Sequence, residues 1–330
     1  MDDRVTLADV ASVAGVSKIT VSRALRGSEQ VKPAVRKRIT ELAAQMGYRV
    51  NLAARDLRLK RRMRIAVVVD MAASDDRPLY DPYPLALLGG IMQECAAAGF
   101  AVVLTTSDPK MHAEAMDTSG VIVLGQGADH AAVRTLAGLN LPLAVWGADD
   151  GVEAEIGAAV VGSDNRQGGM LAARHLQHRG CQRLVFLGNT SHAELADRAH
   201  GFHAAVQPGT EIVATQSADF TREGGHRAMR EVIAAGIPFD GVFAGSDLVA
   251  LGAIDALREA GGALRPDIAI VGYDDTPAAA AHAPRLTTIR QDWTGGGRLL
   301  ARTLFARLDP GRFAPPQSRT LPVFLVERET

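Results

Sequence analysis

The sequence predicts a chain of two unlike parts: an N-terminal all-α helix-turn-helix headpiece, followed by a larger two-lobed α/β body built on parallel sheets. Three observations predict it. Positive charge gathers at one end: Met1 to Arg64 holds 15 Lys+Arg against 6 Asp+Glu, a net of +9, while the remainder holds 21 against 31, a net of −10. Within that basic end, two short capped helices flank a glycine-containing turn. Beyond it, β-branched runs of strand length alternate with helical stretches through most of the chain. A basic head on an acidic body fits a polyanion-binding module joined to something that does not touch the polyanion.

The 330 residues, 47% hydrophobic and 22% charged, have ordinary globular composition and enough length for more than one core. Cys95 and Cys181 are the only cysteines, too few for a disulfide framework or a thiolate zinc site, and both read as reduced, buried thiols. The N-terminus opens with acids rather than a basic segment, and no stretch approaches the ~20 apolar residues that span a bilayer. A cytoplasmic protein without a membrane partner is the expectation.

In the headpiece, Thr6 precedes Leu7-Ala8-Asp9, so its hydroxyl caps a first helix whose acidic third residue suits the positive N-terminal end. Gly15 supplies the left-handed stop. Ser17 caps a second helix from Lys18 to Leu25, which ends near Gly27. Packing Val10, Val16, Val21 and Leu25 inward turns Lys18, Ile19, Ser22 and Arg23 outward on the second helix's leading face, the arrangement that enters a major groove. Pro33 announces a third helix through Ala34 to Met46, whose Val35, Ile39, Leu42 and Met46 recur at helical spacing and close the core. The stretch Asn51-Leu-Ala-Ala-Arg-Asp-Leu-Arg is helix-competent but too short to be stable alone in water, so it is expected to fold on DNA and against its twin in a dimer.

The run VTLADVASVAGVSKITVSRALRG, continued by EQVKPAVRKRITELAAQMGY and NLAARDL, resembles the headpiece of the LacI/GalR family of bacterial transcription repressors. The resemblance implies that Lys18 and Ile19 are the chief readers of base edges and that Arg23 is a further base contact. It also implies that Thr6, Ser17, Thr20, Ser22 and Asn51 bind phosphates or cap helices. Leu57 falls where the family inserts a leucine wedge from each monomer into the minor groove, and Ala54 where the hinge packs closely. Val50 departs from the family, which commonly has proline there. Lys18-Ile19 resembles gluconate-type members more than lactose or purine types; lysine donates to guanine O6 and N7, and isoleucine meets a thymine methyl. The implied partners are an inverted-repeat DNA operator, a second copy of the chain and a small-molecule effector. No cofactor or metal is expected.

In the body, RIAVVVD, AVVLTT, GVIVLG, LPLAVWG, VVGSD, RLVFLG, EIVAT, GVFAGS and DIAIVGYDD read as strands with helices between them. Such alternation means parallel sheets covered on both faces, and this many strands means two similar lobes with a cleft between them. The resemblance adds that the body is periplasmic-binding-protein-like, with crossings near Ser163-Asp164, Arg290-Gln291 and Leu321. The expected division is 1–49 for the headpiece, 50–63 for the hinge and 64–330 for the effector-binding and dimerisation body. Lobe one takes 64–162 and 291–320, and lobe two takes 163–290 and 321–330. Carried over by position, Arg198, Phe220, Ser246, Asp274, Gln291 and Trp293 line the effector cleft. Aromatic faces there suit sugar C–H groups, while Arg198 and Asp274 suit hydroxyls or an acid.

The connection from TTSDPK to SGVIVLG is shorter than the family's, a trimming around 107–119 that touches the dimer surface. His192, His200 and His203 read as packing or surface residues, with no third ligand at useful spacing for a metal. Gly224-Gly225 and Gly295-Gly296-Gly297 fit no nucleotide-binding motif, and no GxSxG elbow supports a hydrolase. The body alone would also permit a transport-type sugar-binding protein. With no heptad tail, a dimer rather than a tetramer is expected.

Overall fold

The computed structural model describes residues 5–25, 28, 30–48, 63–70, 82–108, 115–261, 268–308 and 317–330. The chain forms two compact units, Met1–Arg62 and Met63–Thr330.

In the first unit, α1 (Leu7–Ala14), α2 (Lys18–Leu25) and α3 (Pro33–Gln45) close on a small core. A capping box starts α1: Asp9 N–H donates to Thr6 Oγ1 at 3.4 Å and Thr6 N–H to Asp9 Oδ2 at 2.8 Å. Gly15 stops it at φ 65°. Ser17 Oγ accepts the Thr20 amide at 3.1 Å and so starts α2. Val10, Ala11, Ala14, Val21, Ala24, Val31, Ile39 and Ala43 are buried, with Val16, Leu25, Val35, Leu42 and Met46 packed against them. Lys32 makes no side-chain cap for α3, which instead begins on Pro33.

The second unit contains two six-stranded sheets. In the first lobe β1 (Arg64–Val69), β2 (Ala101–Thr106), β3 (Gly120–Leu124), β4 (Leu143–Trp146), β5 (Ala158–Ser163) and β11 (Arg319–Leu321) lie in the order β11-β5-β4-β3-β1-β2, all parallel. The second lobe holds β6 (Arg183–Leu187), β7 (Glu211–Gln216), β8 (Gly241–Ala244), β9 (Ala269–Asp274), β10 (Thr287–Arg290) and β12 (Phe324–Val326). Their order is β12-β10-β9-β8-β6-β7, with β12 alone antiparallel. The chain changes sheet after Ser163, after Arg290 and after Leu321.

Helices cover both faces of each sheet. In lobe one, Ile65, Val67 and Val69 face α4 (Pro82–Ala98) and α12 (Trp293–Arg307), while Ala66 and Val68 face the side of α5 (Ala131–Ala137). That alternation is the strand period of two, buried on both sides. In lobe two, α7 (Asn165–His178) and α8 (Ala193–Ala204) cover one face, and α9 (Arg222–Ala234) and α10 (Asp247–Gly261) the other. Two short helices, α6 (Val152–Glu155) and α11 (Pro277–Ala281), follow β4 and β9.

The glycine runs are explained by close helix packing. A Cβ at Gly297 would stand 2.0 Å from the Leu87 carbonyl of α4, one at Gly296 would stand 2.3 Å from the Trp146 ring, and one at Gly225 2.2 Å from the Val249 carbonyl. Cys95 and Cys181 are free and buried, and burial pushes the Cys95 thiol up to about 11. Among the described residues, no helix is long and apolar enough to cross a membrane. Of the short connection after β2, residues 109–114 lie outside the described residues, and Ala115 is buried in the lobe-one core.

Candidate functional site

Two surfaces carry the candidate chemistry. On α2, Lys18, Ile19 and Arg23 are exposed and Ser22 is half-buried. Ile19 is 64% exposed, an apolar side chain standing in water beside two cations. Thr6, Ser17 and Thr20 are occupied in capping, Ser17 Oγ lying 2.9 Å from Thr20 Oγ1. Asn51, Ala54 and Leu57 lie outside the described residues.

In the body, the strand ends of both sheets face a cleft with two compartments, both walled by Phe220. Tyr83, Trp146, Gly147, Ser163, Asn165, Glu194, Arg198 and Gln291 line the first. Pro82, Ser246, Leu248, Asp274, Thr276 and Ala278 line the second.

Arg198 is the best-held of these side chains. Only 5% exposed, it donates from Nε to Asn165 Oδ1 at 2.9 Å and from Nη1 to the Gly245 carbonyl at 2.6 Å. Its guanidinium carbon sits 3.7 Å from the centroid of the Tyr273 ring, a cation–π contact in a dry setting. Burial pushes the Tyr273 phenol up to about 12, even though Arg198 pulls the other way.

Asp274 and Asp275 both have positive φ, 119° and 57°, conformations that cost a non-glycine residue energy and tend to cluster at functional sites. The turn separates their roles. Asp275 accepts from Arg290 Nε at 2.5 Å and from Arg328; burial opposes its ionisation, but these two guanidiniums outweigh it and hold the carboxyl below its ordinary range. Asp274 turns into the second compartment and accepts from Gln291 Nε2 at 2.7 Å.

Beneath them Asp247 is fully buried and bonded by the Thr276 amide at 2.7 Å, Thr276 Oγ1 at 3.0 Å and Thr288 Oγ1 at 2.6 Å. Burial first, and the Asp274 charge second, push it up to about 8. Phe220 packs edge-on against His192, centroids 5.2 Å apart, and Ser246 Oγ accepts the Val249 amide at 3.3 Å. Trp293 lines neither compartment. Its ring meets Tyr83 edge-on at 5.9 Å, and its indole N–H is buried without a partner.

Away from these compartments, the Asp129 amide of lobe one donates to the Ser191 carbonyl of lobe two at 3.4 Å. The next residue, His130, is held between Glu153 Oε1, 2.7 Å from Nδ1, and Asp150 Oδ2, 2.9 Å from Nε2. Among the described residues, these three form the one group with metal-ligand composition. Both ring nitrogens are engaged by carboxylates, which is the setting of an imidazolium rather than of a metal ligand. His200 and His203 are exposed on α8.

These features meet their counterparts among known proteins. A model of bacterial regulatory proteins of the lacI family matches residues 6–51, and one of a periplasmic binding protein-like domain matches residues 173–330. The chain is 32% identical to the HTH-type transcriptional regulator CelR of Thermobifida fusca, across 99% of this chain and 98% of that one. This chain belongs to the LacI family. The HTH-type transcriptional repressor PurR of Glaesserella parasuis is 26% identical across 96% of this chain and 93% of its own. A solved CelR–cellobiose complex matches with a TM-score of 0.73 at 30% identity, and a lac repressor dimer bound to operator and an anti-inducer with 0.83 at 27%. Each covers 99% of both chains. As a LacI-family member the protein is a DNA-binding transcriptional regulator.

The gluconate-type subgroup suggested by Lys18-Ile19 finds no support among these relatives. The reason is physical: Lys18 and Ile19 stand on the headpiece, whereas the cleft lies in the other compact unit, so the residues of one surface need not track the chemistry of the other. Sequence reasoning also missed Tyr83, Trp146, Ser163, Asn165 and Glu194 on the cavity wall. Glu194 lies in the first turn of α8, which starts at Ala193, and lines the first compartment from there.

Proposed function

We propose that the protein is a dimeric repressor acting in the cytoplasm, which binds an inverted-repeat operator through α2 and releases or tightens it when a sugar fills the cleft between the lobes. The leading face of α2 carries this reading. Lys18, Ile19 and Arg23 project together from a helix that Ser17 caps at its start, and Ile19, 64% exposed between two cations, is open to a partner. A thymine methyl in a major groove is such a partner, with the two cations serving guanine and phosphate.

Arg198, Phe220, Ser246, Asp274 and Gln291 serve the effector, a sugar, in keeping with the cellobiose held by the related CelR. Leu57 is the expected wedge at the operator centre and Ala54 the close-packing hinge position, while Asn51 binds phosphate or caps a helix. The effector acts by favouring one closure angle of the lobes. Such coupling is typically ~1 to 3 kcal/mol, and it requires that the sugar bind one body state better than the other.

The test is a salt-controlled binding assay of the full chain on an inverted-repeat operator library, repeated with sugars, sugar acids and sugar phosphates. Selection of one palindrome, shifted by one sugar, is the expected result; no sequence preference at any salt defeats the reading. In the same assay Leu57→Ala should weaken operator binding sharply at matched salt, and unchanged affinity removes the wedge.

A further inference from the structure

Two polar atoms on the wall of the first compartment are sealed from solvent and have no hydrogen-bond partner: Ser163 Oγ, at the end of β5 in lobe one, and Glu194 Oε2, in the first turn of α8 in lobe two. Folded proteins satisfy nearly all such groups, so two orphans on one cavity wall are a request for a ligand. Their chemistry restricts the answer. An ionised carboxylate only accepts, so the ligand must bring a hydroxyl or N–H to Glu194.

Charge restricts it further. Among the described residues lining the two compartments, the acidic and basic side chains are Glu194, Asp274 and Arg198. Arg198 has already committed Nε to Asn165, Nη1 to Gly245 and its face to Tyr273. A ligand carboxylate or phosphate would meet two acids against one cation, in a site where unpaired charge is costly. Tyr83, Trp146 and Phe220 offer flat faces that suit ring C–H groups.

We infer that the effector is an uncharged, hydroxyl-rich saccharide gripped from both lobes by Ser163 and Glu194, and that Glu194 is the specificity residue that turns away the corresponding acids. This rests on the sugar-effector reading above and narrows it. Because the two groups come from opposite lobes, a hydroxylated ring that satisfies both also draws the lobes together.

The test is calorimetric titration of the full chain with cellobiose, maltose, sucrose, trehalose and lactose, each beside an acid of the same skeleton, such as cellobionic acid beside cellobiose. The tightest neutral sugar should bind at least about tenfold better than its acid. Glu194→Ala should weaken that sugar about tenfold or more, and Ser163→Ala by a smaller factor. Glu194→Gln should keep most of the neutral affinity while shrinking the gap to the acid, a change that a purely structural role would not produce. Unfolding transitions of the variants separate lost binding from lost folding. An acid that binds better than its neutral partner, or a gap unmoved in Glu194→Gln, overturns the inference alone. Failure of every neutral sugar, with wild-type operator binding normal, overturns both the inference and the sugar reading.

Discussion

The two lobes face one cleft with different chemistry. Lobe two supplies every carboxylate and cation among the described lining residues, Glu194, Arg198 and Asp274, and beneath them the buried Asp247. Lobe one supplies Pro82, Tyr83, Trp146, Gly147 and Ser163, a wall of rings and backbone with two hydroxyls and neither carboxylate nor cation. The difference comes from what each sheet places at its strand ends. In lobe two, α8 and α10 begin at the cleft, and the strained turn at Asp274 and Asp275 aims one carboxylate inward and ties the other to Arg290 and Arg328. In lobe one Gly296 of α12 lets the Trp146 ring pack directly against the helix. On the function proposed above, lobe two recognises and orients the sugar, and lobe one closes over it.

Breaking lobe two should cost most. Arg198→Ala removes the bonds to Asn165 and Gly245 and the cover over Tyr273, and is expected to lower effector affinity by ~3 kcal/mol or more, roughly a hundredfold. Arg198→Lys should rescue little, because an ammonium cannot span both partners and stack. Titration with the identified sugar checks this; a loss below about threefold in Arg198→Ala means the orienting lobe has been misidentified.

Asp247→Asn probes the same lobe through pH. Because the native carboxyl is pushed up from 3.8 to about 8, the folded state keeps a proton that the unfolded chain has released between those values. Stability should fall as pH rises through that window, and Asp247→Asn should flatten the slope. Melting temperatures measured across the window decide; parallel curves for the two proteins count against a buried proton at this site.

The opposite wall should matter less. Trp146→Leu keeps apolar bulk but loses the flat face, for about 1 kcal/mol of effector affinity, near fivefold. A loss equal to that of Arg198→Ala would erase the division of labour.

How much of this was legible in the sequence follows the range of the interactions. The three headpiece helices are set by local signals, Thr6, Gly15, Ser17 and Pro33, and their reading lands within a residue at the third helix's end. The alternation of strands and helices is equally local. Arg198, Phe220, Ser246, Asp274 and Gln291 were reachable only by position in a resembling family, and all five stand on the cavity wall. Trp293 shows the limit of that method, since its ring backs Tyr83 instead of lining the cavity. Glu194 and Trp146 were hidden for another reason: nothing local distinguishes a strand-end tryptophan or a first-turn glutamate that faces a ligand from one that faces solvent. That depends on where the other lobe lies.

Lobe one does carry one ionisable cluster, but it lies apart from the cavity lining, and it yields the smallest of these effects. His130 sits at positive φ beside Asp129, whose amide reaches Ser191 of lobe two. Around it are Asp150 and the fully buried Glu153, with Gln126 donating from Nε2 to Glu153 Oε1 at 2.7 Å. Burial alone would lower the His130 pKa, but the hydrogen bonds and charges of Glu153 and Asp150 outweigh it and raise the pKa above the usual 6.5. A histidine whose folded pKa is raised contributes its full stabilisation below its unfolded pKa and loses it as pH climbs through the folded value. His130→Ala should therefore destabilise the protein most at about pH 6 and progressively less above neutrality, where the wild-type imidazole has also lost its charge. The melting temperatures of the two proteins should converge as pH rises. If the gap between them instead stays constant from acid to alkaline pH, His130 holds this loop by packing alone, and the inter-lobe contact beside it owes nothing to an imidazolium.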